Sequence, residues 1–275
     1  NKKIRTKESY KTIVEKHLIP ALGHIKLQKL KPIHIQEYYH SSSLSEKTLS
    51  IDQGVLYQAL KVAMVQEKLI RENPAELVAE KPSGKKITGE MQTWNEDEVK
   101  KFLLITRQEG LRIETFYTLT LETGMRKGEI CGLKWEDINL NNGIISIKRT
   151  LLKSGRNPVF GTPKNGKPRA IVISKTMIEL LKKWKNKQEE IKLENIDSYN
   201  EHNYVFTKTN GLPLQSNNIA ENEFNKLIEK ANVKKIRFHD LRHTAITLMI
   251  ENGVNMKMVS EQAGHSSIDI TLNRY

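Results

Sequence analysis

The chain has little cysteine, few aromatic residues and no long apolar run, and these shortages close off whole classes of function. A single cysteine, Cys131, in 275 residues allows no internal disulfide framework and suits a reducing compartment. Its apolar-patterned neighbourhood reads as that of a buried thiol. No stretch approaches the roughly 20 apolar residues that cross a bilayer, and the opening residues hold no signal-peptide core. Acidic residues are scarce too: 32 Asp and Glu face 45 Lys and Arg, a formal charge of +13. Such a surplus favours a polyanionic partner, most commonly nucleic acid, although a lysine-rich solvated surface accounts for it equally well. A hydrophobic fraction of 37% beside 28% charge is the balance of a globular chain of one large or two ordinary domains. The chain opens Asn1-Lys2-Lys3 without a methionine, so residues are expected to precede it.

What is present falls into two parts. Residues 1–80 read as all-helical. A periodic segment from Thr6 to His17, with Tyr10, Ile13 and Val14 inward, is expected to stop at Leu18-Ile19-Pro20. Pro32 starts a second helix carrying Ile33, Ile35, Tyr38 and Tyr39, and Ser45 caps a third that reaches about Lys68. The first fifty residues carry ten Lys or Arg against four Glu, which makes this part a candidate DNA clamp by charge. Residues 81–92, including Pro82-Ser83-Gly84-Lys85-Lys86, lack apolar periodicity and read as a linker. Residues 93–275 start afresh behind Asn95, an N-cap followed by acids that suit a helix dipole. Here Ile113 to Thr123 is helical and ends at Gly124. Gly143 to Lys148 alternates as a strand, and Phe160 to Ile173 reads as a hairpin turning at Asn165-Gly166 with Lys164 at its tip. Helices follow over Thr176 to Leu193 and Ile219 to Ala231. The class expected is mainly α with a small antiparallel sheet.

The last segment carries the unusual polar residues. His239-Asp240-Leu241-Arg242-His243 places His239 and Arg242 on one helical face, where both can donate to a single phosphate. Gly264-His265 follows, then Tyr275. Upstream, Arg126 stands after a glycine break in Thr123-Gly124-Met125-Arg126-Lys127-Gly128-Glu129. A metal reading is available, since His239 and His243 have the spacing of zinc ligands and His265 would be a third. It is disfavoured because the zincin motif needs Glu where Asp240 stands, and Arg242 would repel a dication. His243 reads as structural. A DNA-binding module without chemistry would use the same basic surfaces, but leaves this polar set unexplained.

In their order and context, Arg126, Lys164, His239-x-x-Arg242, Gly264-His265 and Tyr275 resemble the tyrosine recombinases, the phage- and conjugative-transposon-type integrases. The resemblance spans nearly the whole chain. It implies a helical, SAM-like core-binding domain (1–80), the linker (81–92) and an α+β catalytic domain (93–275), with duplex DNA enclosed between the two domains. It implies a tyrosine, here Tyr275, that attacks phosphorus and stores the phosphodiester's energy in a 3′-phosphotyrosine. Arg126 and Arg242 would hold the transition-state charge, His239 and His265 would add donors, and His239 would serve as acid or base. Lys164 would protonate the departing 5′-hydroxyl, and Glu129 would orient the site from behind. No metal or other cofactor enters this scheme. The implied partners are duplex DNA at attachment sites, four protomers passing through a Holliday junction, and an accessory DNA-bending protein or excisionase.

The implied setting is the bacterial cytoplasm, with a prophage or conjugative element as the cargo. A chromosome-dimer resolvase and a type IB topoisomerase share the nucleophile chemistry. The helical front part and Gly264-His265 favour the recombinase over the latter. Family members continue past the nucleophile, and Tyr199 or Tyr204 would have to serve were Tyr275 not the one. Neither follows a Gly-His pair at the family's spacing.

Overall fold

The computed structural model describes residues 4–83, 91–163, 168–215, 218–273 and 275. The chain divides into two units, Asn1–Gly89 and Glu90–Tyr275.

In the first, α1 (Ile4–Ile13) passes through a wide π-type turn over Val14–Leu18 into α2 (Ile19–Leu22). The helix therefore continues through Pro20, where the sequence predicts a stop. Proline brings no N–H and crowds the carbonyl one turn back; the widened turn just before it makes room for both defects. The same turn rotates Val14 outward, leaving Ile13, Leu18 and Leu22 in the core. α3 (Pro32–Ser41) buries Ile35, Tyr38 and Tyr39 but exposes Ile33. α4 (Glu46–Val65) begins at Ser45, whose Oγ accepts the Thr48 N–H at 3.3 Å. It buries Leu49, Val55, Leu56 and Leu60.

Asp52 of α4 is fully buried in this unit. Its Oδ2 accepts from the Tyr38 hydroxyl at 2.6 Å and lies 2.8 Å from His17 Nδ1, while Oδ1 has no hydrogen-bond partner among the described residues. Burial and the adjacent Asp52 push the Tyr38 hydroxyl well above its ordinary pKa, and push Tyr39 up to about 12.

In the second unit, α5 (Glu96–Gln108) opens on a reciprocal cap. Asn95 Oδ1 accepts the Glu98 N–H at 2.9 Å, and the Glu98 carboxylate accepts the Asn95 N–H at 3.0 Å. α6 (Leu111–Thr123) is buried along much of its length, and α7 (Lys127–Cys131) follows after a short break. Phe102 and Tyr117 meet edge-on at 5.3 Å in an aromatic core completed by Trp94, Phe116, Phe224 and Phe238. Cys131 is buried there, its thiol pushed up to about 12 by desolvation, an inert structural group as expected.

Among the described residues five short strands follow: β1 (Ile138–Asn139), β2 (Ile144–Ile147), β3 (Thr150–Lys153), β4 (Val159–Gly161) and β5 (Arg169–Val172). They form one antiparallel sheet of order β1-β2-β5 and a second of β3-β4. The two arms of the expected 160–173 hairpin thus take different partners. Ile145 pairs with Ile171, both buried, and Leu151 pairs with Phe160. Burial of these cross-strand pairs sets the partners of the two arms. The Asn165-Gly166 turn itself lies outside the described residues.

α8 (Lys175–Glu194) packs Met177, Leu181 and Trp184 inward. A second π-type turn, Ile219–Glu223, leads into α9 (Phe224–Ala231). The chain then enters α10 (Asp240–Glu251), α11 (Met256–Ala263) and the single turn α12 (Asp269–Leu272). The class is mainly helical with small antiparallel sheets. No helix among the described residues is long and apolar enough to cross a membrane.

Candidate active site

Three separate pieces of the second unit converge on the C-terminal end of α11. Gly264 ends that helix in a left-handed conformation, φ +65°, with its N–H on the Glu261 and Ser260 carbonyls. A helix terminus leaves its last carbonyls without intrahelical donors and partly negative. Three successive carbonyls here each accept from a different guanidinium. Arg169 Nε reaches Gln262 O at 2.8 Å, Arg242 Nη2 reaches Ala263 O at 2.5 Å, and Arg126 Nη2 reaches Gly264 O at 2.9 Å. A side chain at Gly264 would be strained by the left-handed φ and crowded, its Cβ 3.0 Å from the Arg169 guanidinium.

Arg126 is the N-cap of α7, and Glu129 stands at the third position of that helix. The buried Glu129 carboxylate takes four hydrogen bonds. Its Oε2 accepts the Arg126 backbone N–H at 3.0 Å and Arg169 Nη2 at 2.6 Å; its Oε1 accepts Arg126 Nη1 and Arg169 Nη1, each at 3.0 Å. Burial raises the pKa of Glu129, but the Arg169 fork and Arg126 outweigh it and hold the group below the usual carboxylate range. Gly128 lets α7 approach β3, since a Cβ there would lie 2.8 Å from the Leu151 carbonyl.

Arg242 is buried, with Nη1 on the Gly124 carbonyl at 2.7 Å. Desolvation, then the neighbouring Arg126, push its pKa down to about 9, so it stays charged at neutral pH. Asp240 does not face the arginine cluster. Its carboxylate takes the Arg237 backbone N–H at 2.9 Å and the Arg237 side chain at 2.8 and 3.0 Å, pinning the turn that enters α10.

His265 follows Gly264 directly. Its N–H donates to Ser260 O, and its Nδ1 lies 2.8 Å from the buried Thr271 hydroxyl. Arg126, Arg169, Gly264, His265 and Ser266 line a cleft of about 650 Å³ that also includes Pro163, Pro168 and Glu261. His239 is exposed at the start of α10, its ring edge-on to His243 at 5.2 Å. Tyr275 is half-buried against the small apolar cluster of Ile246, Val259 and Ala263. Its hydroxyl hydrogen-bonds His243 Nδ1, the two rings 5.6 Å apart, and it is near enough to act electrostatically on Arg242.

The structure therefore brings Arg126, Arg242, His265 and Glu129 around one helix end, with Tyr275 and His239 joined through His243. Lys164 lies outside the described residues. Two further residues enter the site. His243, read as structural, contacts the Tyr275 hydroxyl. Arg169 stands in no motif, although an arginine in register with Ile171 and Ile173 on the buried face of a strand is itself an anomaly. Among the described residues no three His, Cys, Asp or Glu side chains group to hold a metal ion.

Residues 92–275 match the phage integrase family, and residues 1–43 match the phage integrase N-terminal SAM-like domain. A tyrosine recombinase XerC-like protein of Caldanaerobacter subterraneus subsp. tengcongensis is 32% identical over 270 residues, 91% of this chain and 68% of that protein. The ICEBs1 integrase of Bacillus subtilis is 28% identical across 98% of this chain and 72% of its own length. The fold matches that of the Tn1549 transposon integrase in complex with transposon right end DNA, with a TM-score of 0.79 and 23% identity over 100% of this chain and 90% of that one. It also matches a lambda integrase tetramer bound to a Holliday junction, with a TM-score of 0.73 and 19% identity over 97% of this chain and 73% of that one. The chain belongs to the phage integrase family of tyrosine recombinases, the enzymes of site-specific DNA recombination.

Proposed function

We propose that this chain cleaves and rejoins duplex DNA through a covalent bond between Tyr275 and a 3′-phosphate. The supporting observation is the gathering of three guanidiniums and one carboxylate at the end of α11, a surplus of two positive charges. Attack on a phosphodiester builds up to two negative charges on the non-bridging oxygens, and Arg126 and Arg242 are the groups to receive them. The Tyr275 oxygen forms a bond to phosphorus as the bond to the 5′-oxygen breaks. Lys164 supplies the proton that the leaving oxygen needs. His243, whose Nδ1 meets the phenol, takes the phenolic proton in the tautomer that leaves that nitrogen unprotonated. His239 and His265 act as donors to the phosphate. In the reverse step the 5′-hydroxyl of a second DNA end displaces the tyrosine and restores a phosphodiester.

The basic first unit clamps the duplex under this reading. Four protomers exchange strands in two steps, aided by an accessory DNA-bending protein or excisionase, to move a prophage or conjugative element. Similarity to an integrase of ICEBs1 supports the mobile-element role over chromosome-dimer resolution, to which the XerC-like relative points.

The test uses a nicked suicide duplex built on the sequence that the protein itself selects from a randomised pool. Incubation in EDTA and a denaturing gel should show a slow-migrating protein–DNA adduct with the unchanged chain and none with Tyr275→Phe. His243→Phe should slow adduct formation by about 100-fold, the usual scale for losing a general base. An adduct that persists in Tyr275→Phe moves the nucleophile to another tyrosine. Relaxation of supercoiled plasmid without exchange of ends would favour the topoisomerase reading.

A further inference from the structure

We propose that Arg169 is a positioning residue for the recombination chemistry, a third arginine that acts through Glu129 and the α11 terminus and never on the phosphate itself. This rests on the recombinase reading above. The guanidinium of Arg169 commits three of its five N–H groups within the protein. Both Nη atoms fork onto Glu129, at 3.0 and 2.6 Å, and Nε donates to Gln262 O at 2.8 Å. The guanidinium lies against Gly264, where an added Cβ would sit 3.0 Å from it, tighter than ordinary contact. The side chain is 11% exposed, against 21% for Arg126.

The need for such a clamp follows from what substrate binding does to Arg126. In the free protein Arg126 shares its guanidinium between Glu129 and the Gly264 carbonyl. An incoming phosphate competes with the Glu129 carboxylate for the same cation and repels that carboxylate. A glutamate held only by Arg126 would swing away or take up a proton, and Arg126 would lose its bearing. Arg169 neutralises Glu129 from the other side and ties it to Gln262, so Arg126 meets the phosphate from a fixed position. The same clamp fixes Gly264 and therefore His265, the next residue. Two of the phosphate-facing groups thus take their placement from one strand residue. A lysine cannot reproduce this: it has a single nitrogen and cannot bridge two carboxylate oxygens and a carbonyl in one plane.

The experiment measures single-turnover adduct formation on the suicide duplex for the unchanged chain, Arg169→Ala and Arg169→Lys. Each is run on the ordinary substrate and on one whose scissile phosphate is a methylphosphonate, which lacks the charge that Arg126 neutralises. DNA affinity is taken from gel shifts, and folding of the second unit from tryptophan fluorescence, since Trp94, Trp135 and Trp184 all lie in it. Arg169→Ala should slow cleavage by about 100-fold, as expected for a displaced catalytic group, with affinity changed less than about threefold. On the methylphosphonate the deficit should shrink to about tenfold or less, because the misplaced group no longer has its charge to meet. Arg169→Lys, which keeps the charge, should remain at least about tenfold slow while its tryptophan fluorescence matches that of the unchanged chain.

A deficit equal on both substrates would reduce Arg169 to a purely structural role and overturn the proposal. So would Arg169→Lys cleaving like the unchanged chain. If the unchanged chain forms no adduct, the recombinase reading fails first and takes this inference with it.

Discussion

Asp52 in the first unit and Glu129 in the second are both fully buried, and the two are treated in opposite ways. Asp52 in the helical unit is held by neutral or weakly basic partners, a tyrosine hydroxyl and an imidazole, and its Oδ1 has no hydrogen bond among the described residues. Glu129 in the second unit has both oxygens filled by two arginines and a backbone N–H. The first arrangement ties three helical segments together and has no surplus of charge to offer. The second is an anchor for cations that stay only partly neutralised. Burial is the same for these two acids, and it is the charge of their partners that sets them apart.

That contrast can be broken by neutralising each acid in turn. Glu129→Gln removes the counter-charge between Arg126 and Arg169. It should slow cleavage of the suicide duplex by about 100-fold or more and cost the second unit about 3 kcal/mol, the scale for breaking a buried ion pair. Tryptophan fluorescence during urea unfolding measures the latter. A variant that cleaves at the original rate would put Glu129 outside the site. Asp52→Asn should have a smaller and differently placed effect. It should cost the first unit about 1–3 kcal/mol through imperfect hydrogen bonding, read as faster hydrogen exchange in α3 and α4. Once DNA is saturated with protein, the cleavage rate should be unchanged.

The smallest effect is a pH slope that sharpens the comparison. Glu129 has a folded pKa held below its ordinary value. Its contribution is therefore present above the unfolded value of about 4.3 and is lost as pH falls through the folded value. Tryptophan fluorescence should show the second unit losing stability in that acid window, and Glu129→Gln should flatten the slope. Asp240, also depressed by its pairing with Arg237 after opposing burial, leaves a residual slope in the variant. At the alkaline end the sign reverses. The buried hydroxyls of Tyr38 and Tyr39 have raised pKa values, so their contribution is present below about pH 10 and is lost as pH rises beyond it.

Much of the site was legible because its residues are local to recognisable breaks in helical pattern. Arg126 and Glu129 flank a glycine-marked helix start, Arg242 shares a helix face with His239, and His265 follows a glycine that ends a helix. These are short-range signals, and short-range reasoning finds them. The partner that completes the cluster is not short-range. Arg169 is 40 residues from Glu129 and 93 from Gln262 in sequence, and nothing beside it marks its destination except its place on the buried face of β5. The fold shows the same division. The Ser45 and Asn95 caps are local and appear where the sequence puts them. The continuation through Pro20 depends on a widened turn that no single residue announces. The pairing of β4 with β3 and of β5 with β2 depends on which apolar strands meet, which Asn165-Gly166 alone does not decide.

The three carbonyls at the end of α11 also limit how this protein can change over time. An α-helix advances about 100° per residue. Inserting or deleting one residue between Met256 and Ala263 would therefore turn Gln262, Ala263 and Gly264 away from all three arginines at once. Substitutions along the exposed side of α11 leave those carbonyls where they are. The helix is open to drift in composition and closed to drift in length. Among descendants of this sequence, the spacing from Met256 to His265 should vary less than the identity of almost any residue within it.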